Sequence, residues 1–477
     1  MGQTIFEKED TVNFVGGITT KTGDDNAGGG CSLADWNDAG SLNKQLSDVM
    51  EDDGTPKSDD GAWNGAHSGC TVRGGGGGGD VRLTREGAFV NVKVGLIANV
   101  EFLNPVDWVN GRYKVKARTD DMITLDYPDA GSADSADVKV GGAFAKFQTA
   151  WANTPCCDNK NPTIYSNKNQ SFGAGDFTAT WHPGGGGFLT NETFKRFCGF
   201  ETQPEDGGQI TFDGGGDAAF SPDGGINLSS ALDINEIFEN IIVKNAYVNW
   251  KTSNVGVNSI RFINCQGNDA TIGWWLNYGR GFVLIDCRGN DNSQYGFWLG
   301  YASGAPNHLL IKCIAHGNTR EGFKGVGALG GGQLIGCLAY DNGNGGTKYS
   351  GFTTSSTYGC GAKMNCVAYN NGKHGFEFAR ANPIAINCIA KDNGQWGFYA
   401  DMAVNDIMAP HVTHCCAHGN GSGQFSLFAA LPEKNCTEED PLFKDAANAD
   451  FRLKNKLMGH DVDSPCLNIG KETLGKS

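Results

Sequence analysis

The sequence predicts an all-β solenoid, a parallel β-helix with a small β-rich region before it and a closing segment after it. Three observations carry this. A degenerate repeat, C-x-A-x-x-N-G-x-x-G-F, runs through the second half, with copies starting at Cys265, Cys287, Cys313, Cys337, Cys366, Cys388 and Cys415. Glycine fills 71 of 477 positions, roughly twice the ordinary share of about 7%, yet 39% of the residues are hydrophobic, so turns abound and a core still forms. The length of 477 residues exceeds one ordinary core of about 100–150 residues, which leaves several domains or one elongated array.

The intervals between copies are 22, 26, 24, 29, 22 and 27 residues, as expected of fixed strands joined by variable loops. Two residues before each Cys stand Ile263, Ile285, Ile311, Ile335, Met364, Ile386 and Thr413; two after it stand Gly267, Gly289, Ala315, Ala339, Ala368, Ala390 and Ala417. This period of two predicts one inward face shared by the Ile, Cys and Ala columns, with Lys312, Asn387, His316 and Lys391 on the wet face. The cysteines then act as small apolar core residues in the reduced state. Within the pair Cys415-Cys416, one sulfur points inward and the other outward, where it would be exposed.

Five residues after the Cys come Asn318, Asn342, Asn371, Asn393 and Asn420, read as turn residues because Asn and Gly tolerate the left-handed backbone region. Their amides can chain from coil to coil and satisfy polar groups at the turn. Gly296-Phe297, Gly322-Phe323, Gly351-Phe352, Gly375-Phe376 and Gly397-Phe398 then open an aromatic strand. Stacked coils place like side chains in columns about 4.8 Å apart. A β-propeller is disfavoured, since its blades need about 40 residues or more.

Residues 1–140 differ in kind, with glycine runs and few long apolar stretches. Gly111–Ala117 and Met122–Asp126 read as a hairpin. The expected organisation is a β-rich attachment or assembly domain over 1–140, the β-helix over 141–435 and a capping segment over 436–477.

Several segments resemble the right-handed parallel β-helix proteins of the pectate-lyase-like class. Val140-Gly-Gly-Ala-Phe-Ala-Lys-Phe147 is similar to their capping helix, Pro162-Thr-Ile-Tyr165 to a first strand and Gln209–Gly216 to an early coil. Asp440-Pro-Leu-Phe443, Ala449-Asp-Phe-Arg-Leu453 and Ser464-Pro-Cys466 are similar to the closing segment of bacterial and phage members. The resemblance implies a right-handed coil. It leaves activity open, because such coils serve lyases, hydrolases, tailspikes and inert scaffolds. Lyases of the class would use a Lys or Arg base with calcium held by clustered carboxylates; hydrolases would use two or three carboxylates on one face.

A net charge of −15 disfavours nucleic acid and anionic membranes unless a local basic patch exists, and no run of the sequence forms one. The start lacks a signal-peptide pattern and no apolar run reaches membrane-span length, so cytosolic synthesis without membrane insertion is expected. No C-x-x-C occurs, which disfavours zinc. Asp213-Gly-Gly-Gly-Asp217 reads as a turn rather than a cation loop, and the glycine run from Gly74 lacks the lysine of a phosphate loop.

One outward column remains as a candidate surface for a glycan or a subunit: His316, Tyr340, Tyr369, Lys391 and His418, with Asp341 and Asp392 beside it. An ordinary solvated face or subunit contact outweighs a carbohydrate lying along it. No catalytic residue, metal or cofactor is assigned; calcium enters only with a lyase. The reading is a structural virion protein of a tailed bacteriophage, a capsid decoration or fibre/spike-like subunit assembled in the host cytoplasm. It would form a homo-oligomer, a trimer, beside other virion proteins such as the major capsid protein, and would contact surface polysaccharide. The alternative is a polysaccharide lyase or depolymerase acting on uronate-containing glycans.

Overall fold

The computed structural model describes strand 12–15, most of 66–140, short strands within 163–200 and most of 207–467. The chain divides into two compact units. The first contains a closed antiparallel barrel of strands Ala66–Gly75, Gly79–Thr84, Ile97–Leu103, Gly111–Thr119, Met122–Pro128 and Ser135–Val140. Inward alternation of Val81 and Leu83, Val100 and Phe102, and Ile123 and Leu125 fills it with a dry core that also takes Cys70, Val115 and Ala136. The predicted hairpin is present, with Thr119 paired to Met122. The same unit holds a parallel run in which Val12–Val15 and Lys195–Phe200 flank Thr163–Asn167, so the region ahead of residue 140 is not purely antiparallel. Val140 ends a barrel strand; the rest of the expected capping helix, 141–147, lies outside the described residues.

The second unit is a parallel β-helix of three sheets. In each coil a first-sheet strand, a second-sheet strand and a third-sheet strand follow one another. Val283–Ile285, Arg288–Asn290 and Tyr295–Leu299 make one coil; Leu309–Ile311, Ile314–His316 and Phe323–Gly325 make the next. Register is strict, with Leu284 beside Leu310, Gly289 beside Ala315 and Phe297 beside Phe323.

The inward face of the first sheet differs from the expectation. Phe262, Leu284 and Leu310 are fully buried, with Leu334, Ala385 and Val412 in the same column, whereas Ile263, Ile285, Ile311, Ile335, Met364 and Ile386 are half-buried; of the expected column only Thr413 is buried. The cause is a corner. Asn264, Asp286, Lys312, Asn365, Asn387 and His414, each just before the Cys, are left-handed at φ 50–56°. The alternation therefore runs within each short strand and resets at the corner, so the Cys turns inward three residues after the previous core residue. Lys363 takes the inward position in one coil, its Nζ donating to Gly361 O at 3.2 Å and lying 5.6 Å from the Phe378 ring centre.

A second difference concerns the asparagines. The left-handed residue is the one before each of them, Asp291, Gly317, Asp341, Asn370, Asp392 or Gly419. The asparagines point inward. Asn292, which the repeat reading omitted, begins a chain of amides in which Nδ2 donates to the next Oδ1 at 2.9, 2.8, 3.0, 2.9 and 2.8 Å through Asn318, Asn342, Asn371, Asn393 and Asn420. The Gly of each Gly-Phe pair is required by this chain: a Cβ at Gly296 would sit 2.7 Å from Gly289 O and 2.8 Å from Asn318 Nδ2.

Beside it, Phe297, Phe323, Phe352, Phe376 and Phe398 stack face to face at 4.8–4.9 Å, with Phe425 following at 5.2 Å. Trp274 and Trp250 extend the stack. The column cysteines are free thiols, sealed inside and donating to carbonyls such as Ile285 O and Phe262 O.

Candidate functional site

The column singled out in the sequence lies on the outer face of the second sheet, with His316 beside Tyr340, Tyr340 beside Tyr369, Tyr369 beside Lys391 and Lys391 beside His418. The structure brings these residues together and then covers most of them with the chain's own closing segment. Strands Phe443–Asp445 and Asp450–Leu453 form a hairpin whose Phe451 packs 5.2 Å from both Tyr340 and Tyr369. Lys391 Nζ reaches Asp440 Oδ1 at 2.5 Å, and His418 Nδ1 lies 2.9 Å from Glu438 O. Only its His316 end, 3.7 Å from Asp291 and 3.9 Å from Asp341, lies beyond these contacts.

Burial pushes the Tyr340 and Tyr369 hydroxyls and the Asp392 carboxyl up. At Asp440 burial opposes the charge, but the Lys391 hydrogen bond and the Leu442 N–H outweigh it and hold the carboxyl below its usual range. Cys416, expected to be exposed, is 1% exposed under the same segment. Asp213 behaves as the turn residue it was read as, accepting from Gly215 N and Asn245 Nδ2, while Asp217 lies outside the described residues.

The outer face of the third sheet holds a different constellation. Strand alternation turns Trp274 and Phe297 inward, so their neighbours Trp275 and Trp298 turn outward and stack on each other at 5.0 Å and 7°. In register with them run Lys251 on one side and Lys324, Thr353, Glu377 and Tyr399 on the other. Lys251 Nζ sits 5.4 Å from the Trp275 ring centre and Lys324 Nζ 5.2 Å from that of Trp298, so two ammonium groups bracket the indole pair.

Beneath lies a small apolar cluster of Val248, Ile272 and Tyr295. The Tyr295 hydroxyl accepts from Lys324 Nζ at 2.8 Å and Arg320 Nη1 at 2.9 Å. Two coils beyond Lys324, Glu377 accepts from Lys373 Nζ at 2.8 Å and from Ser350 Oγ at 2.6 Å. His374, stacked on Tyr399 at 4.2 Å, is pulled down to about 4 by burial.

Four buried polar atoms of this face have no hydrogen-bond partner: Trp275 Nε1, Trp298 Nε1, Glu321 Oε2 and Thr353 Oγ1. They are three potential donors and one carboxyl oxygen, arranged over successive coils beside four cations. Burial pushes the Glu321 carboxyl up, and the nearby Glu377 charge adds to this, while Lys324 and Arg320 pull the other way. A buried polar atom without a partner costs about 1–3 kcal/mol.

The charge reading missed this strip because Lys251, Arg320, Lys324 and Lys373 are scattered over more than a hundred residues, and only coil stacking gathers them. The signal was present in the doublet Trp274-Trp275 and its counterpart Phe297-Trp298, where a period of two must send one aromatic outward. Among the described residues no group of three or more His, Cys, Asp or Glu could hold a metal ion, and no helix is long and apolar enough to cross a membrane.

The fold defines the class: this is a parallel β-helix protein. Its coordinates are similar to those of a pectate lyase, at 14% identity over 66% of this chain and 84% of that one, with a TM-score of 0.47. They are also similar to a rhamnogalacturonan lyase, at 13% identity over 63% and 83% with a TM-score of 0.39. A third is the catalytic unit of a thermostable α-1,3-glucanase from Streptomyces thermodiastaticus, at 10% identity over 76% and 88% with a TM-score of 0.35. No protein-family model and no curated protein matches the chain.

Proposed function

We propose that the protein is a structural component of a tailed-bacteriophage virion, a decoration or spike-like rod that contacts acidic surface glycans through the outer face of its third sheet. The observation that carries the glycan contact is the strip of Lys251, Trp275, Trp298 and Lys324 with Arg320 on Tyr295, a concentration of cations and aromatics on a chain of net charge −15. Columns of Asn, Cys and Phe support the rod: between Asn292 and Asn420 each coil is tied to the next by side chains as well as backbone, which suits an exposed, protease-resistant surface element. A homotrimer docked to the major capsid protein belongs to the same reading.

The test has two arms. Co-sedimentation with assembled particles examines the virion role; an unbound chain in a lysate that contains particles would reject it. Retention on immobilised acidic polysaccharide, against neutral dextran, examines the contact. Replacing Arg320 and Lys324 together by Gln is expected to abolish retention at low salt, and unchanged retention would reject the strip.

One observation favours a second reading. Glu321, buried, unpartnered at Oε2 and raised in pKa beside Lys324 and Arg320, has the character of an acid catalyst. On this reading the protein is a polysaccharide lyase or depolymerase acting on uronate-containing glycans. Unsaturated products released by the wild-type chain but not by Glu321→Gln would establish it.

A further inference from the structure

We infer that Cys416 and Cys466 are a modification site, a thiol pair that oxidises to a disulfide and staples the closing segment to the last coil. Cys416 occupies the outward position of the second sheet that Ile314, Leu338, Val367 and Ile389 fill in the preceding coils. It is buried there by the closing segment: it bridges to Thr437, and its Sγ donates to Glu439 O at 3.2 Å. Cys466 approaches from the far end of that segment, in the short turn Pro465–Leu467, and is 7% exposed. Its position is set by Ser464, whose hydroxyl donates to Pro441 O and accepts from Cys466 N.

The two thiols line one groove of about 420 Å³, together with His414, Phe451 and Leu453, which gives a small oxidant a path to them. Facing the same groove, the two thiols shift each other, Cys416 up and Cys466 down, so Cys466 ionises first. The column thiols such as Cys313 and Cys388 differ in kind, being sealed inside the coils with burial pushing their pKa values up.

The chemistry is thiol–disulfide exchange with a low-molecular-weight disulfide such as glutathione disulfide. The Cys466 thiolate attacks one sulfur of the oxidant, its S–S bond breaks and one glutathione thiolate leaves. The Cys416 thiolate then attacks the mixed disulfide at the Cys466 sulfur and expels the second glutathione. Two protons are released from the protein thiols, and the oxidant carries away two electrons as two glutathione thiols. The bond joins positions 50 residues apart (466 minus 416) and restricts undocking of the segment between them. A chain assembled in a reducing compartment would acquire the staple after release into an oxidising one.

The test incubates the folded full-length chain with glutathione disulfide at mildly alkaline pH, followed by digestion without reductant and mass spectrometry. The expected result is one cross-linked peptide pair joining Cys416 to Cys466, lighter by two hydrogens, with slower proteolysis of 436–467 that dithiothreitol reverses. Cys416→Val, which restores the residue type of the neighbouring coils, and Cys466→Ser should fold and show proteolysis indifferent to oxidant. A native-like chain in which both thiols stay reduced, or in which either pairs with Cys436, would overturn the inference.

Discussion

Replacing Asn342 by Ala probes the element that most directly ties coil to coil. Asn342 is fully buried; its Nδ2 donates to Ala315 O at 2.9 Å and Asn371 Oδ1 at 3.0 Å, and its Oδ1 accepts from Asn318 Nδ2 at 2.8 Å and Asn318 N at 3.2 Å. Truncation leaves the two Asn318 donors and the Ala315 acceptor without these partners in a dry environment. At about 1 kcal/mol for each orphan, the low end for buried polar groups, the loss is about 3 kcal/mol. A repeat array does not unfold in one step, so the loss is read locally, as faster hydrogen exchange of the amides around 315–342 and 367–371.

Asn342→Asp sharpens the test. A carboxylate keeps both acceptances but cannot donate to Ala315 or Asn371, and its buried charge raises the folded pKa above the unfolded value of about 3.9. A raised acid is neutral in the fold, so stability is retained below the unfolded pKa and is lost as pH rises towards the folded one. Exchange protection in Asn342→Asp should therefore fall from acid to neutral pH. Wild-type protection in Asn342→Ala would refute the reasoning and make the amide column a passenger of backbone pairing.

Further outcomes follow from the same geometry. Leu310→Ala, at a fully buried position, should cost about 2–5 kcal/mol and Ile311→Ala, at the half-buried neighbour, well under that; equal shifts in thermal melting would contradict the corner-reset register. Because Glu321 is raised, it is neutral over a range where an ordinary glutamate is charged, so wild-type retention of dextran sulfate should weaken as pH rises through its folded pKa; Glu321→Gln should flatten that profile, and an unchanged profile would remove Glu321 from the site. Asp440 is depressed, so its contribution to docking the closing segment is present above about pH 4, its unfolded range, and is lost as pH falls through the folded value; proteolysis of 436–467 should speed up in acid, and Lys391→Ala should reproduce this at neutral pH.

The sequence by itself determined the class of fold, because a solenoid is a one-dimensional object and its period is written along the chain. The spacing of Cys265 to Cys415 sets the coils, the Gly-Phe pairs mark the aromatic strands and the Asn positions mark the turn side. What it could not determine was which way each residue faces around a corner. Local period-two reasoning carried the alternation straight through Asn264 or Lys312, but one left-handed residue rotates the chain, so Leu310 and Cys313 share the interior and Ile311 does not. Only tertiary structure decided the site. Stacking converts residues about 25 positions apart into neighbours, which assembles Lys251, Trp275, Trp298 and Lys324 into one strip. Only the path of the closing segment decided that Tyr340, Tyr369 and Lys391 are covered, since Phe451 and Asp440 lie far from them in sequence and meet them through burial and charge pairing that no local pattern encodes.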